Sequence, residues 1–205
     1  MRVRTGEIYF KIKVMKVFQI GFNRCGTTSL YHFFKQNNHR SVHWNDFKWD
    51  KYFKNNQSKN KLLCDGVDDI IFWSDIEFVQ RQFQVFAEQY PNSKFIYNTR
   101  NIDNWIESRK KHYTDKTNFF KDIYNQKLKL NKFNLTLENY WKSEWIYHKQ
   151  VIDEYFVGDK KKRLLIFDIE KDSSDKIINF LPELNFIDTK FPHRNKSKKP
   201  KTEII

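Results

Sequence analysis

A short apolar run that stops at a glycine and is followed by hydroxyl side chains constrains this chain more than any other segment. Lys16–Gly21 reads KVFQIG, the form of a strand buried in a parallel sheet. Gly21-Phe22-Asn23-Arg24-Cys25-Gly26 turns the chain, and Thr27–Gln36 then carries Leu30, Phe33 and Phe34 at i, i+3, i+4 spacing, one face of a helix. Strand, tight loop and helix N-terminus in succession make an anion cradle, because backbone N–H groups converge there and the helix dipole favours negative charge. Thr27, Thr28 and Ser29 add hydroxyl donors, and Arg24 adds a planar cationic fork suited to phosphate or sulfate oxygens. The same residues would also serve any α/β protein as a strand-to-helix turn with Ser/Thr capping.

The rest of the chain repeats the alternation. Ser41–Trp44 reads as a second short strand, and residues 45–62, polar and rich in Lys and Asn, as an irregular surface excursion. A helical pattern over Ile76–Tyr90 is closed by Pro91. Lys94–Thr99 (KFIYNT) is a strand, and Ile102–Tyr113 a helix capped by Asn101 or Asp103. Two helical stretches follow within residues 115–157, then the strand Arg163–Asp168 and a helix ending near Leu181. Strands alternating with helices predict one α/β domain, a mainly parallel sheet flanked by helices. At 205 residues the chain suits a single core: a domain over 16–195, preceded by an extension (1–15) and followed by a basic tail (196–205). With 20 Phe, 10 Tyr and 6 Trp, that core is expected to be built largely from rings.

Thirty-eight Lys and Arg (38) against 25 Asp and Glu give a net charge of +13, which favours anionic partners without choosing among them. The two cysteines, Cys25 and Cys64, make no disulfide framework, and no Cys/His spacing suggests zinc. No apolar run approaches the ~20 residues of a membrane span, and the start MRVRTGEIYFKIK lacks a signal-peptide core. A cytoplasmic protein without a metal is expected. The loop keeps the G-x-x-x-x-G frame of a Walker A motif, but Thr27 stands where that motif needs lysine on the β- and γ-phosphates. This disfavours a P-loop kinase of a small molecule.

Arg24-Cys25-Gly26-Thr27-Thr28-Ser29-Leu30 after an apolar strand resembles the 5′-phosphosulfate loop of sulfotransferases that use 3′-phosphoadenosine 5′-phosphosulfate (PAPS), usually P-K-x-G-T-[TS]-x-[LW]. Asn23 replaces the proline, and Arg24 stands for the lysine that touches the transferred group, which puts rate rather than reaction class in question. Tyr90–Asn101 is similar to the family's second signature, a strand ending in an arginine, here Arg100, with a serine eight positions later on the next helix, here Ser108. In the family this pair grips the 3′-phosphate. Leu164–Glu170, the helix after it and Phe191-Pro192-His193-Arg194-Asn195 look like the C-terminal part of shorter family members, where a basic loop folds over the nucleotide.

The resemblance implies a P-loop-like sulfotransferase topology across roughly residues 16–195. It implies donor binding by Arg24, Cys25, Gly26, Thr27, Thr28, Ser29, Arg100, Ser108 and Arg194, with Arg24 also catalytic. PAPS would be the co-substrate and adenosine 3′,5′-bisphosphate the product. In-line displacement at sulfur needs a base for the acceptor's proton. The stretch matching the family's histidine contains Asp75, with His43 and Asp46 as competitors. The acceptor is expected to be a hydroxyl or amine on a carbohydrate or small molecule. The alternative is a nucleic-acid-binding protein using its charge and its aromatic-rich helices, although no recognised nucleic-acid module appears.

Overall fold

The computed structural model describes residues 15–114 and 136–192. The sheet is parallel throughout, in the order β2-β3-β1-β4-β5, with β1 at Val17–Gln19, β2 at Ser41–Val42, β3 at Phe72–Trp73, β4 at Lys94–Thr99 and β5 at Leu164–Asp168. From β1 the chain first builds outward to one side (β3, β2) and later to the other (β4, β5). The order therefore reverses beside β1, and the crevice at the carboxyl ends of β1 and β4 is the place such sheets use for ligands.

Alternation along each strand sends side chains to two separate cores. Val17, Phe72, Ile96, Leu165 and Phe167 pack with Leu30, Phe33 and Phe34 of α1 (Thr27–Gln36) and with Ile177 of α7 (Ser174–Phe180). Phe34 stacks on Phe72 with centroids 3.9 Å apart. On the other face Phe18, Trp73, Phe95 and Tyr97 pack against α2 (Lys48–Ser58), α3 (Glu77–Arg81), α4 (Phe83–Gln89) and α6 (Leu137–Tyr155). Each fully buried Phe contributes about 1.5–3 kcal/mol of transfer free energy, so the two ring-rich layers anchor the sheet whose edge carries the site. A third cluster joins Trp105 and Ile106 of α5 (Ile102–Thr114) to Trp141 and Trp145 of α6, with Cys25 of the loop among them.

Two local expectations change. Residues 45–62 are not an irregular excursion: α2 runs through them and buries Phe53, Asp50 and Asn56. Its polar surface hid a helix whose buried carboxylate accepts the N–H of Phe78 (2.8 Å) at the start of α3. Ile76–Tyr90 is two helices, because the chain leaves helical geometry at Gln82. Asn101 rather than Asp103 caps α5, its Oδ1 accepting the N–H groups of Asp103 and Asn104 (2.9 and 3.1 Å). The extension up to residue 14, the first helical stretch after 115, and His193, Arg194, Asn195 and the tail lie outside the described residues.

Candidate active site

The loop after β1 is fixed from beneath by two buried amides. Gln19, the last residue of β1, donates to the carbonyl of Gly21 and to Oδ1 of Asn98, near the end of β4. Asn98 accepts from the Gly21 N–H (3.1 Å) and donates to the Cys25 carbonyl (2.8 Å). Both side chains are fully buried, where an unpaired amide group would cost about 1–3 kcal/mol. Gly21 is required by proximity, since a Cβ there would stand 2.0 Å from the Asn98 carbonyl oxygen. From above, Trp105 donates its indole N–H to the Asn23 carbonyl (2.9 Å), and Phe22 packs against Trp105, Trp145 and His148.

The loop ends at Gly26, in the left-handed region with φ 78°, and no side chain caps α1. Leu30 N–H bonds to the Gly26 carbonyl (2.9 Å). The first-turn N–H groups that precede it lie ahead of the helical hydrogen-bond ladder and point where an anion is favoured. Arg24 also takes a left-handed backbone, φ 64°, a cost a non-glycine residue bears when its surroundings over-determine it. Those surroundings are visible. Its Nε donates to Ser108 Oγ (3.0 Å), and its carbonyl accepts from Arg100 Nη1 (3.2 Å). Residues far apart in sequence thereby converge on one side chain and its backbone.

Arg100 has a second partner. Its Nε donates to Glu170 Oε1 (3.0 Å), and its Nη2 pairs with the same oxygen. The Asn101 N–H (3.1 Å) and the Asn104 amide (3.1 and 3.2 Å) complete the shell around that carboxylate. These donors hold the Glu170 carboxyl below the usual carboxylate range against its partial desolvation.

On the opposite flank, Asp75 follows β3 with φ 56°, and its N–H is held by Gln19 Oε1 (2.7 Å). Burial pushes its carboxyl up to about 6, opposed by the charges of Arg109 and Arg24 and by a hydrogen bond from Thr27. His43 Nε2 lies 3.6 Å from Asp75 Oδ2. Burial, with His32 nearby, pulls that imidazole down to about 4. At neutral pH the pair is therefore a carboxylate beside a neutral imidazole. Asp46 is exposed in the turn before α2. Arg109 is buried on α5, its guanidinium 4.8 Å from the ring centroids of both Trp105 and Trp141.

Comparison with known proteins gives the family and the fold. A family model described as a sulfotransferase domain matches residues 16–199. The chain belongs to the sulfotransferase family. Its fold resembles the crystal structure of a sulfotransferase from Alicyclobacillus acidocaldarius, with 15% identity, a TM-score of 0.57, and coverage of 91% of this chain and 87% of that one. No curated protein matches it. Among the described residues of this sulfotransferase no helix is long and apolar enough to cross a membrane.

Of the residues singled out in the sequence, the fold brings Arg24, Cys25, Gly26, Thr27, Thr28, Ser29, Arg100 and Ser108 to one end of the sheet, with Asp75 and His43 beside them. Ser108 meets Arg24, whereas the Arg100 fork meets Glu170. Four polar residues at the candidate site were not singled out in the sequence. Gln19 and Asn98 each left a signal, a lone amide inside an apolar strand. Arg109 left one too, four residues after Trp105 on a helix. Glu170 left none.

Proposed function

We propose that this sulfotransferase moves a sulfuryl group from PAPS to a hydroxyl or amine on a carbohydrate or small molecule, releasing adenosine 3′,5′-bisphosphate. The acceptor's oxygen or nitrogen forms a bond to sulfur as the bond from sulfur to the bridging oxygen breaks, and the electron pair stays with the departing nucleotide. Arg24, the hydroxyls of Thr27, Thr28 and Ser29, and the first-turn amides of α1 meet the charge that develops on that oxygen. Arg100, with Ser108 acting beside it through Arg24, receives the 3′-phosphate. Asp75, ionised at neutral pH, takes the acceptor's proton. The buried thiols of Cys25 and Cys64 are both free, in keeping with a reducing cytoplasm.

One observation supports this reading most: Arg24 touches both elements of the second signature, Ser108 through its side chain and Arg100 through its carbonyl. The loop proposed for the 5′-phosphosulfate and the pair proposed for the 3′-phosphate therefore meet at one residue. Calorimetry with adenosine 3′,5′-bisphosphate and with 5′-AMP tests it. Micromolar binding of the first and much weaker binding of the second is expected, and equal affinities would remove the 3′-phosphate from the scheme. A panel of acceptors with labelled PAPS then identifies the second substrate.

A further inference from the structure

We propose that Glu170 sets nucleotide affinity: its carboxylate occupies the place of the donor's 3′-phosphate on Arg100, Asn101 and Asn104, and moves aside when the nucleotide binds. The inference rests on the donor reading above and adds a residue that the sequence pattern does not single out.

Among the described residues, the groups that hydrogen-bond to the Glu170 carboxylate are all donors: the Arg100 fork, the Asn101 N–H and the Asn104 amide. This is the donor set that receives a phosphate monoester, with a planar fork for paired oxygens and a backbone N–H at the start of a helix. A carboxylate offers two oxygens and one charge. A phosphate monoester offers three oxygens and about −1.5 to −2 at neutral pH, so it outcompetes the carboxylate for the same donors. The two anions cannot share the cradle. Glu170 must leave it when the phosphate arrives.

The structure leaves a path for that departure. The Arg100 and Glu170 side chains keep 21% and 26% of their surface exposed, so water reaches the pair and can hydrate the carboxylate once it leaves. The backbone need not move with the side chain. Ile169 N–H is bonded to the Thr99 carbonyl (3.0 Å) and Glu170 N–H to Asp168 Oδ1 (2.9 Å), which fixes the chain where it leaves β5. Arg100 stays aimed as well, because its Nη1 remains on the Arg24 carbonyl. A carboxylate waiting beside the cradle also favours release of the product nucleotide, which carries the same 3′-phosphate as the donor.

The test compares the full chain with Glu170→Gln and Glu170→Ala. Adenosine 3′,5′-bisphosphate should bind about tenfold more tightly to Glu170→Ala, with Glu170→Gln between, while 5′-AMP affinity stays unchanged. Inorganic phosphate is the independent probe. It should raise the melting temperature of Glu170→Ala more than that of the parent, and adding Arg100→Ala should abolish the gain. If nucleotide binding is absent from every form but the Arg100-dependent phosphate response appears in Glu170→Ala, the latch stands and the donor reading falls. If Glu170→Ala binds the bisphosphate no better than the parent, or worse, and shows no phosphate response, Glu170 is a brace that orients Arg100 and the proposal is overturned.

Discussion

The two halves of the proposed anion site are built on opposite principles. The loop after β1 is assembled before any ligand arrives. Gln19 and Asn98 are buried and multiply bonded beneath it, Trp105 and Phe22 lock it from above, and Arg24 holds a strained backbone. The Arg100 half is only partly exposed, but among the described residues it has no buried amide brace of this kind beneath it, and a carboxylate of the chain itself fills it. The preorganised half suits charge that appears only in the transition state, where donors must need no rearrangement. The exchangeable half suits a group that must bind and leave unchanged in every cycle. Substitutions should therefore separate: those in the first half should change kcat or folding, and those in the second should change ligand affinity alone.

The largest effect is expected at Asp75. Asp75→Asn should lower kcat by about 10²–10⁴, measured with labelled PAPS and an identified acceptor. In the parent, kcat should fall as pH drops through about 6, and a profile flat through that range would disqualify the carboxylate. The same substitution should stabilise the fold at neutral pH. A carboxyl whose native pKa is raised binds its proton more tightly when folded, so its ionised form opposes folding above that pKa, and the opposition fades as pH falls towards the unfolded value. A melting temperature raised by several degrees, together with lost turnover, would separate a chemical role from a structural one.

Next comes Arg24. Arg24→Ala should cost about 10²–10³ in single-turnover rate, the usual effect of removing one donor to a developing negative charge, with a smaller loss in product-nucleotide affinity. A normal rate with a raised KM would place Arg24 in ground-state binding instead. Asn98→Leu should act on folding. It strands the Gly21 N–H, the Cys25 carbonyl and the Gln19 amide in a dry site, for a loss of about 3 kcal/mol, and the melting temperature should drop by about 6–12 °C. The smallest effect is at Arg100. Arg100→Ala should weaken adenosine 3′,5′-bisphosphate about tenfold while leaving 5′-AMP binding and the melting temperature nearly unchanged. Equal losses for both nucleotides would erase the contrast between the halves.

The sequence was most legible where one residue type had a single physical use. The apolar runs ending at Gly21 and Thr99, and the hydroxyls opening α1, announced two strands and the start of a helix correctly. Lengths misled where tertiary contacts decide. β3 is two residues long and is held by its neighbours, Val17 and Phe18 on one side and Ser41 and Val42 on the other. No window of sequence could mark it. The polar surface of α2 concealed Phe53, whose burial under Trp73 and Phe86 is what keeps that helix in place. Asp75 and His43 were offered as rivals for one role, and the fold sets them side by side because β2 and β3 are adjacent. Glu170 was illegible for a different reason. Its meaning comes from the strand pairing that carries it to Arg100, and pairing is a property of the sheet rather than of the segment.

The indole of Trp105 ties the loop after β1 to tryptophan fluorescence. Its ring is wholly buried, its N–H is spent on the Asn23 carbonyl and the Arg109 guanidinium lies over it, so its emission responds to shifts of the loop and of that charge. Trp145 lies 4.5 Å away, centroid to centroid, close enough for the two rings to share excitation. Any ligand that draws the loop towards itself changes the hydrogen bond and, through it, the emission of the pair. With Trp105→Phe as the reference that assigns this signal among the six tryptophans, the proposed encounter with adenosine 3′,5′-bisphosphate can be timed in a stopped-flow fluorimeter without a label.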